Sequence, residues 1–342
     1  MSTVREAPDS LEEWYEYALA RGWGDGLPLI PPTEDRVAAM VAASGRPAGE
    51  LIAHLDPVGG AATVEKVAIN AVMAGCLPSY LPVLLAAIEA LAMPPFNLHG
   101  VQTTTNPVGP AVIVNGPVRH QIGINCGRGL LGPGWRANAT IGRAVRLCMI
   151  NIGGAAPGTV DMALQGMPGK YTFCFGEDEE RSPWSPLHVE LGFPANTSVV
   201  TCVGVNANAG VIADYKKAER VLRTVADALA QGIANAALFE SGTLLVIMSY
   251  GHARLLHNQG FDKRRVKEWL YEHAKVPQER FAGMTRVHSE LREGSPVSVT
   301  AGPDDIALVV GGGDEPYQIT VCSTFGPTNM TSAAVRDTGS SS

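Results

Sequence analysis

Apolar positions recur along this chain with two periods, and each period predicts its own elements. Leu11, Trp14, Tyr17 and Ala18 fall at helical spacing. Ser10 and Glu13 stand at capping-box separation ahead of them, and Gly22 ends the helix. The stretch from Trp23 to Thr33 reads as a turn and then an extended proline-rich segment, able to bring Trp23 and Asp25 to a cleft. Thr33 caps a second helix with Val37, Met40 and Val41 inward and Gly45 at its end. Helical spacing returns over about 63–75 and 79–92, with Cys76-Leu77-Pro78 between, and from Arg136 to about Asn151. Short apolar runs without that spacing read as strands at 111–115, 171–175, 198–205, 243–249, 306–311 and 317–322, with helices over 216–238 and 262–274. Strands interleaved with helices predict the α/β class: a mixed sheet or sheets with helices packed on the faces and long irregular Gly/Pro-rich loops. The expected organisation is an N-terminal helical and extended arm (1–45), an α/β body (46–335) and a frayed tail (336–342). The body is divisible into packed subdomains near 46–205 and 206–335.

Composition narrows the function classes. Of 342 residues 46% are hydrophobic and 17% charged, which supplies a large core and leaves little for disorder. A net charge of −7 argues against nucleic acid, whose phosphates call for clustered cations. The densest basic run, Lys263-Arg264-Arg265 with Lys267, shares its helix with Glu268 and Glu272 and reads as a solvated face. The most apolar stretch, Leu81–Met93, contains Pro82 and Glu89 and is too short to span a bilayer. The start, Met1–Trp14, is polar and acidic where a secretion signal is basic and then apolar. Cysteines 76, 126, 148, 174, 202 and 322 show no CxxC spacing, so reduced thiols in the cytoplasm are expected.

Candidate chemistry lies in four places. The glycine-rich run from Ile122 leads into a helix carrying Arg136, Asn138, Thr140 and Arg143. Free N–H groups at a helix start, with arginine forks, suit a carboxylate or phosphate, although a tight turn with surface arginines explains the same pattern. It is neither a Walker loop nor a dinucleotide fingerprint. Lys66, Asn70 and Met73 line one side of an apolar helix that ends at Cys76, a candidate nucleophile or an inert buried thiol. A strand ends in Glu177-Asp178-Glu179-Glu180, followed by Trp184, His188 and Glu190. Carboxylates at a strand end can act as bases, and an acidic run can equally be solvated. His99 and Thr104 precede a buried strand, and His252 follows one. Of the thiols, Cys126 lies beside Arg128 ahead of a helix start, whereas Cys76 follows a helix C-terminus; electrostatics therefore favour Cys126 as the more reactive. No histidine spacing indicates a metal, and no motif names a cofactor.

Trp23-Gly-Asp-Gly-Leu-Pro28, Glu65–Cys76, Arg136-Ala-Asn-Ala-Thr-Ile-Gly-Arg143 and Ser182–Glu190 together resemble a poorly characterised bacterial family. Its members are encoded beside, or fused to, a small protein with a UGSC selenocysteine or CGSC motif. Gly251-His252-Ala253 and Ser323-Thr-Phe-Gly326 extend the resemblance over most of the chain. The chain departs from it at Asn125-Cys126, where a serine is more typical, and around Gly313–Val321. It holds no UGSC segment, so the resemblance implies a separate thiol or selenol partner protein. The expectation is an enzyme of small-molecule metabolism that binds an anionic organic substrate and cleaves a carbon–heteroatom bond. A metal-dependent hydrolase or lyase using His99, His188, His252 and Glu177 is the alternative. A non-catalytic subunit supporting a thiol-bearing partner is another, and a homo-oligomer is left open.

Overall fold

The N-terminal helices form where spacing and caps predict them. In the computed structural model, which describes residues 5–231, 239, 241–283 and 295–336, they are α1 (Leu11–Leu19) and α2 (Glu34–Ala43). Ser10 Oγ accepts from the Glu13 N–H at 3.1 Å, whereas the Thr33 side chain makes no cap bond. Trp14, Ala18, Leu29 and Met40 are buried, so the arm is folded onto the body. A hairpin of β1 (Leu51–Leu55) and β2 (Gly60–Thr63) leads into α3 (Val64–Ala74), α4 (Leu81–Leu91) and α5 (Leu98–Thr103). Then come β3 (Gly109–Asn115), α6 (Val118–Ile122), α7 (Arg136–Asn151), β4 (Cys174–Gly176), α8 (Leu187–Glu190) and β5 (Val199–Ile212). The remainder is α9 (Ala218–Leu229), β6 (Leu244–Met248), α10 (Tyr250–Asn258), α11 (Lys263–His273), β7 (Lys275–Val276), β8 (Val297–Ser298), β9 (Ile306–Val310), β10 (Gln318–Thr324) and β11 (Thr331–Ala334). Residues 232–238 of the expected 216–238 helix and 337–342 of the tail lie outside the described residues. The expected strand at 171–175 starts later, because Pro168–Lys170 forms a 3-10 turn and leaves Tyr171 and Thr172 exposed.

Seven strands make one mixed sheet in the order β4-β3-β5-β10-β6-β9, with β11 also on β5. β3 is parallel to β4 and β6 to β9, and the other pairings in this sheet are antiparallel. The chain is therefore of the α/β class. Period-two alternation explains why the strands read as continuous apolar runs, since both faces are buried. Ala111, Ile113, Val203, Val205, Leu245, Ile247, Ala307 and Val309 fill the inside of the curled sheet. Their neighbours Val112 and Val114 pack under α3, α4 and α7, and Val246, Met248, Leu308 and Val310 pack under α9, α10 and α11. One sheet thus serves both halves of the body: β11, near the C-terminus, pairs with Val199–Cys202 of β5.

The ends of the sheet approach each other just past β4 and β9. The Asp178 N–H donates to the Val310 carbonyl at 2.8 Å, and the Gly312 N–H to the Cys126 carbonyl at 2.9 Å. The chain turns at Gly312 with φ +97°, a conformation that favours glycine. This seam, where three loops meet, positions the candidate site. Among the described residues no single helix is long and apolar enough to cross a membrane.

Candidate functional site

Three of the sequence-predicted groups lie apart, and packing explains each. Arg136 starts α7, but its Nε and Nη2 both donate to the Gly75 carbonyl, at 3.0 and 2.9 Å. Gly75 is the left-handed cap of α3, so the guanidinium satisfies an orphan carbonyl at a helix C-terminus. Arg143 grips Asp25 in a bidentate pair at 2.7 and 2.8 Å and also donates to the Leu27 carbonyl. Thr140 Oγ1 donates to Arg136 O at 2.8 Å, and its carbonyl accepts the Cys76 thiol at 3.3 Å. Asn70 bridges Lys66 O and Asn151 Nδ2, while Lys66 itself reaches Ala61 O. The shared helix face is thus a lock between α3, α7 and the N-terminal arm. Burial pushes the Cys76 thiol up to about 12, the Arg136 and Arg143 charges notwithstanding.

Glu177, buried at the end of β4, belongs to a polar hub. Its Oε2 accepts from Asn115 Nδ2 at 2.7 Å and from the Leu187 N–H at 2.8 Å. Asn115 also donates to Glu179 Oε1 at 2.9 Å, which lies 4.0 Å from His188 Nδ1. Among the described residues Glu177 Oε1, Asn115 Oδ1 and His188 Nδ1 find no hydrogen-bond partner, with Lys263 Nζ 3.9 Å from the first. Lys263 and Lys267 are both buried and bind Glu190, which corrects the reading of this basic run as a solvated face. The four-residue spacing turns these two lysines inward, while Arg264 and Arg265 face water. Trp184 is buried beside α11 and donates Nε1 to the Phe261 carbonyl at 3.2 Å.

The histidines are scattered. His99 is exposed on α5, and Thr104 caps the turn to Asn106. His252 is sealed in the first turn of α10, with Nε2 donating to Ala213 O at 3.1 Å and Nδ1 2.8 Å from Ser249 Oγ. Burial lowers its pKa below 6.5. The folded chain therefore binds fewer protons there than the unfolded chain, and stability should fall as pH drops below about 6.5. Acid unfolding monitored between pH 7 and 5 should show this slope in the wild type and lose it in His252→Gln. Among the described residues no three His, Cys, Asp or Glu side chains are placed to hold a metal.

Cys126 is different. Cys76, Cys148, Cys174, Cys202 and Cys322 are buried, and burial raises every one of those thiols. Cys126 alone is partly open, on a loop shaped by Asn138, which accepts from Asn125 N and donates to Asn125 O and Leu130 O. Glycines surround it: Gly127 follows it and Gly311-Gly312-Gly313 lies opposite. The charge beside the thiol is not the expected Arg128, which reaches away to Glu315 at 2.6 Å. It is Arg119, whose positive charge favours the thiolate. Burial first, and Asp178 next, nevertheless hold the Cys126 thiol above its ordinary value of 9.0, Arg119 acting in the opposite sense. At neutral pH the group is a protonated thiol.

Arg119, Arg181, Asp314 and Glu315 carry the electrostatics of this seam, and none of the four stands out in the sequence. The available signal was position: Arg119 follows the end of β3, and Gly311-Gly-Gly-Asp-Glu315 follows the end of β9, where α/β sheets place ligand groups. Compared with protein-family models, curated proteins and solved structures, the chain finds no match.

Proposed function

We propose that this chain is an enzyme of small-molecule metabolism that cleaves a carbon–heteroatom bond of an anionic organic substrate at the Cys126 seam. It would work together with a thiol- or selenol-bearing partner protein of the UGSC/CGSC kind. The observation that carries the reading is the contrast among six cysteines: Cys126 alone is partly accessible, and glycines wall it. A protonated thiol suits a first role as acid. The partner's thiolate R′S⁻ attacks the heteroatom X of R–X, and Cys126 gives its proton to the departing carbon. This yields R–H, R′S–X and the Cys126 thiolate. The thiolate then displaces X⁻ from R′S–X, leaving a mixed disulfide between Cys126 and the partner. Two electrons from the two sulfurs reduce the C–X bond, and one proton ends on carbon.

Halogenated aromatic carboxylates, which do not alkylate free thiols, are suitable probes, with dithiothreitol standing in for the partner. Halide release should appear with at least one member of such a panel. It should fall by about 100-fold in Cys126→Ser, the scale expected for loss of a positioned acid. Release that is equal in both proteins, or absent throughout, contradicts the reading.

A further inference from the structure

We infer that Arg128 and Arg181 form a two-point receptor for a small dianion, such as a dicarboxylate, which Asp314 and Glu315 occupy in the free protein. This deepens the reading of Cys126 as the chemical centre and rests on it. The two arginines flank Gly127, the residue after the thiol. A Cβ at Gly127 would stand 4.0 Å from Arg181 Nη2, and one at Gly313 would stand 3.7 Å from the Arg128 guanidinium carbon. Neither position carries a side chain, so no Cβ covers the Arg181 or the Arg128 guanidinium there.

Each fork is held by a carboxylate from one of two consecutive residues. Arg128 Nη2 donates to Glu315 Oε1 at 2.6 Å, and Arg181 Nη1 to Asp314 Oδ1. The second fork of Arg181 is committed to buried Asp178, at 2.7 Å from Nε, and orients the guanidinium. The displaceable pairs are open to water: Arg128 is 73% and Glu315 59% exposed, Arg181 40% and Asp314 67%. Exposed pairs of this kind hold weakly, so an incoming carboxylate can replace either one. The backbone beneath stays in place, because Gly311 N donates to Met248 O, Gly312 N to Cys126 O and Ser249 Oγ to Glu315 O, each at 2.9 Å. Exchange therefore needs only two side chains to swing out, and a dianion replaces two carboxylates charge for charge. Arg119 is not a competing cation, since Glu179 and Glu180 hold it.

Calorimetric titration with succinate, malonate and acetate tests this on the full-length chain, with circular dichroism to confirm folding. A dicarboxylate should bind more tightly than acetate and slow alkylation of Cys126. In Asp314→Asn/Glu315→Gln its affinity should rise roughly three- to tenfold, because apparent affinity scales with the fraction of open sites. In Arg128→Gln/Arg181→Gln binding should be lost. Equal affinity in the wild type and the Asp314→Asn/Glu315→Gln protein, or no dicarboxylate binding by either, overturns the receptor. If Cys126 still reacts selectively in that case, the thiol reading survives and only the receptor falls. Dicarboxylate binding with an unreactive Cys126 keeps the receptor and removes the thiol as the chemical centre.

Discussion

Replacing Arg119 by leucine should cost about 3–5 kcal/mol of stability, the scale found when one partner of a buried charged network is removed. The side chain is 3% exposed and sits where the ends of the sheet meet. Its Nε donates to Gly116 O at 3.1 Å and lies 3.0 Å from Glu179 Oε1. Its Nη1 donates to Glu177 O at 2.7 Å, and Nη2 to Glu180 Oε1 at 2.7 Å. Leucine removes the cation beside the Glu179 carboxylate, which keeps only the Asn115 and Gly116 donors, and takes one of two donors from the Glu177 carbonyl. The Glu180 carboxyl, held down to about 2 chiefly by its hydrogen bonds from Arg119, should titrate higher once the arginine is gone. Urea unfolding of Arg119→Leu beside Arg119→Lys measures the effect; lysine keeps the charge without the fork and should lose less. Arg264→Leu, removed from an exposed helix face, should change nothing measurable. A loss below about 1 kcal/mol in Arg119→Leu would mean that the seam is not held by this network.

The strands of the sheet could be read in advance because burial on both faces makes continuous apolar runs of Ala111–Val114, Leu244–Met248 and Ile306–Val310. The start of α7 at Arg136 was equally legible. The second half of β5, Asn206–Ile212, was not: its exposed Ala, Asn and Gly carry no alternation, and it forms a strand because β10 lies alongside it. The β1–β2 hairpin was hidden for a related reason: Leu51–Leu55 is mostly exposed despite its apolar residues, and Gly60–Thr63 is made of small residues with no apolar period.

At the site, local spacing told which side chains share a helix face but not what the face meets. Arg136 and Arg143 do lie together, yet Gly75 and Asp25 take up their donors. Arg119 pairs with Glu180, 61 residues away, and Lys267 with Glu190, 77 residues back. No window of sequence contains those pairs. The electrostatic ground for choosing Cys126 over Cys76 does not hold, since Arg128 turns away from the sulfur; what separates the two is exposure, Cys126 being partly open and Cys76 buried.

Timed alkylation with iodoacetamide, followed by peptide mapping of the native protein, tests the Cys126 seam most directly. Cys126 should be modified far ahead of Cys76, Cys148, Cys174, Cys202 and Cys322, which react only when the fold opens. The Cys126 thiol is raised above 9.0, and the thiolate is the reacting form, so its rate should climb with pH and continue to rise past 9. A variant that removes the acid opposing the thiolate most, Asp178→Asn, should move that profile toward lower pH. Modification of Cys76 before Cys126, or a native protein in which none of the six thiols reacts before unfolding, would contradict the assignment of this seam as the site of chemistry.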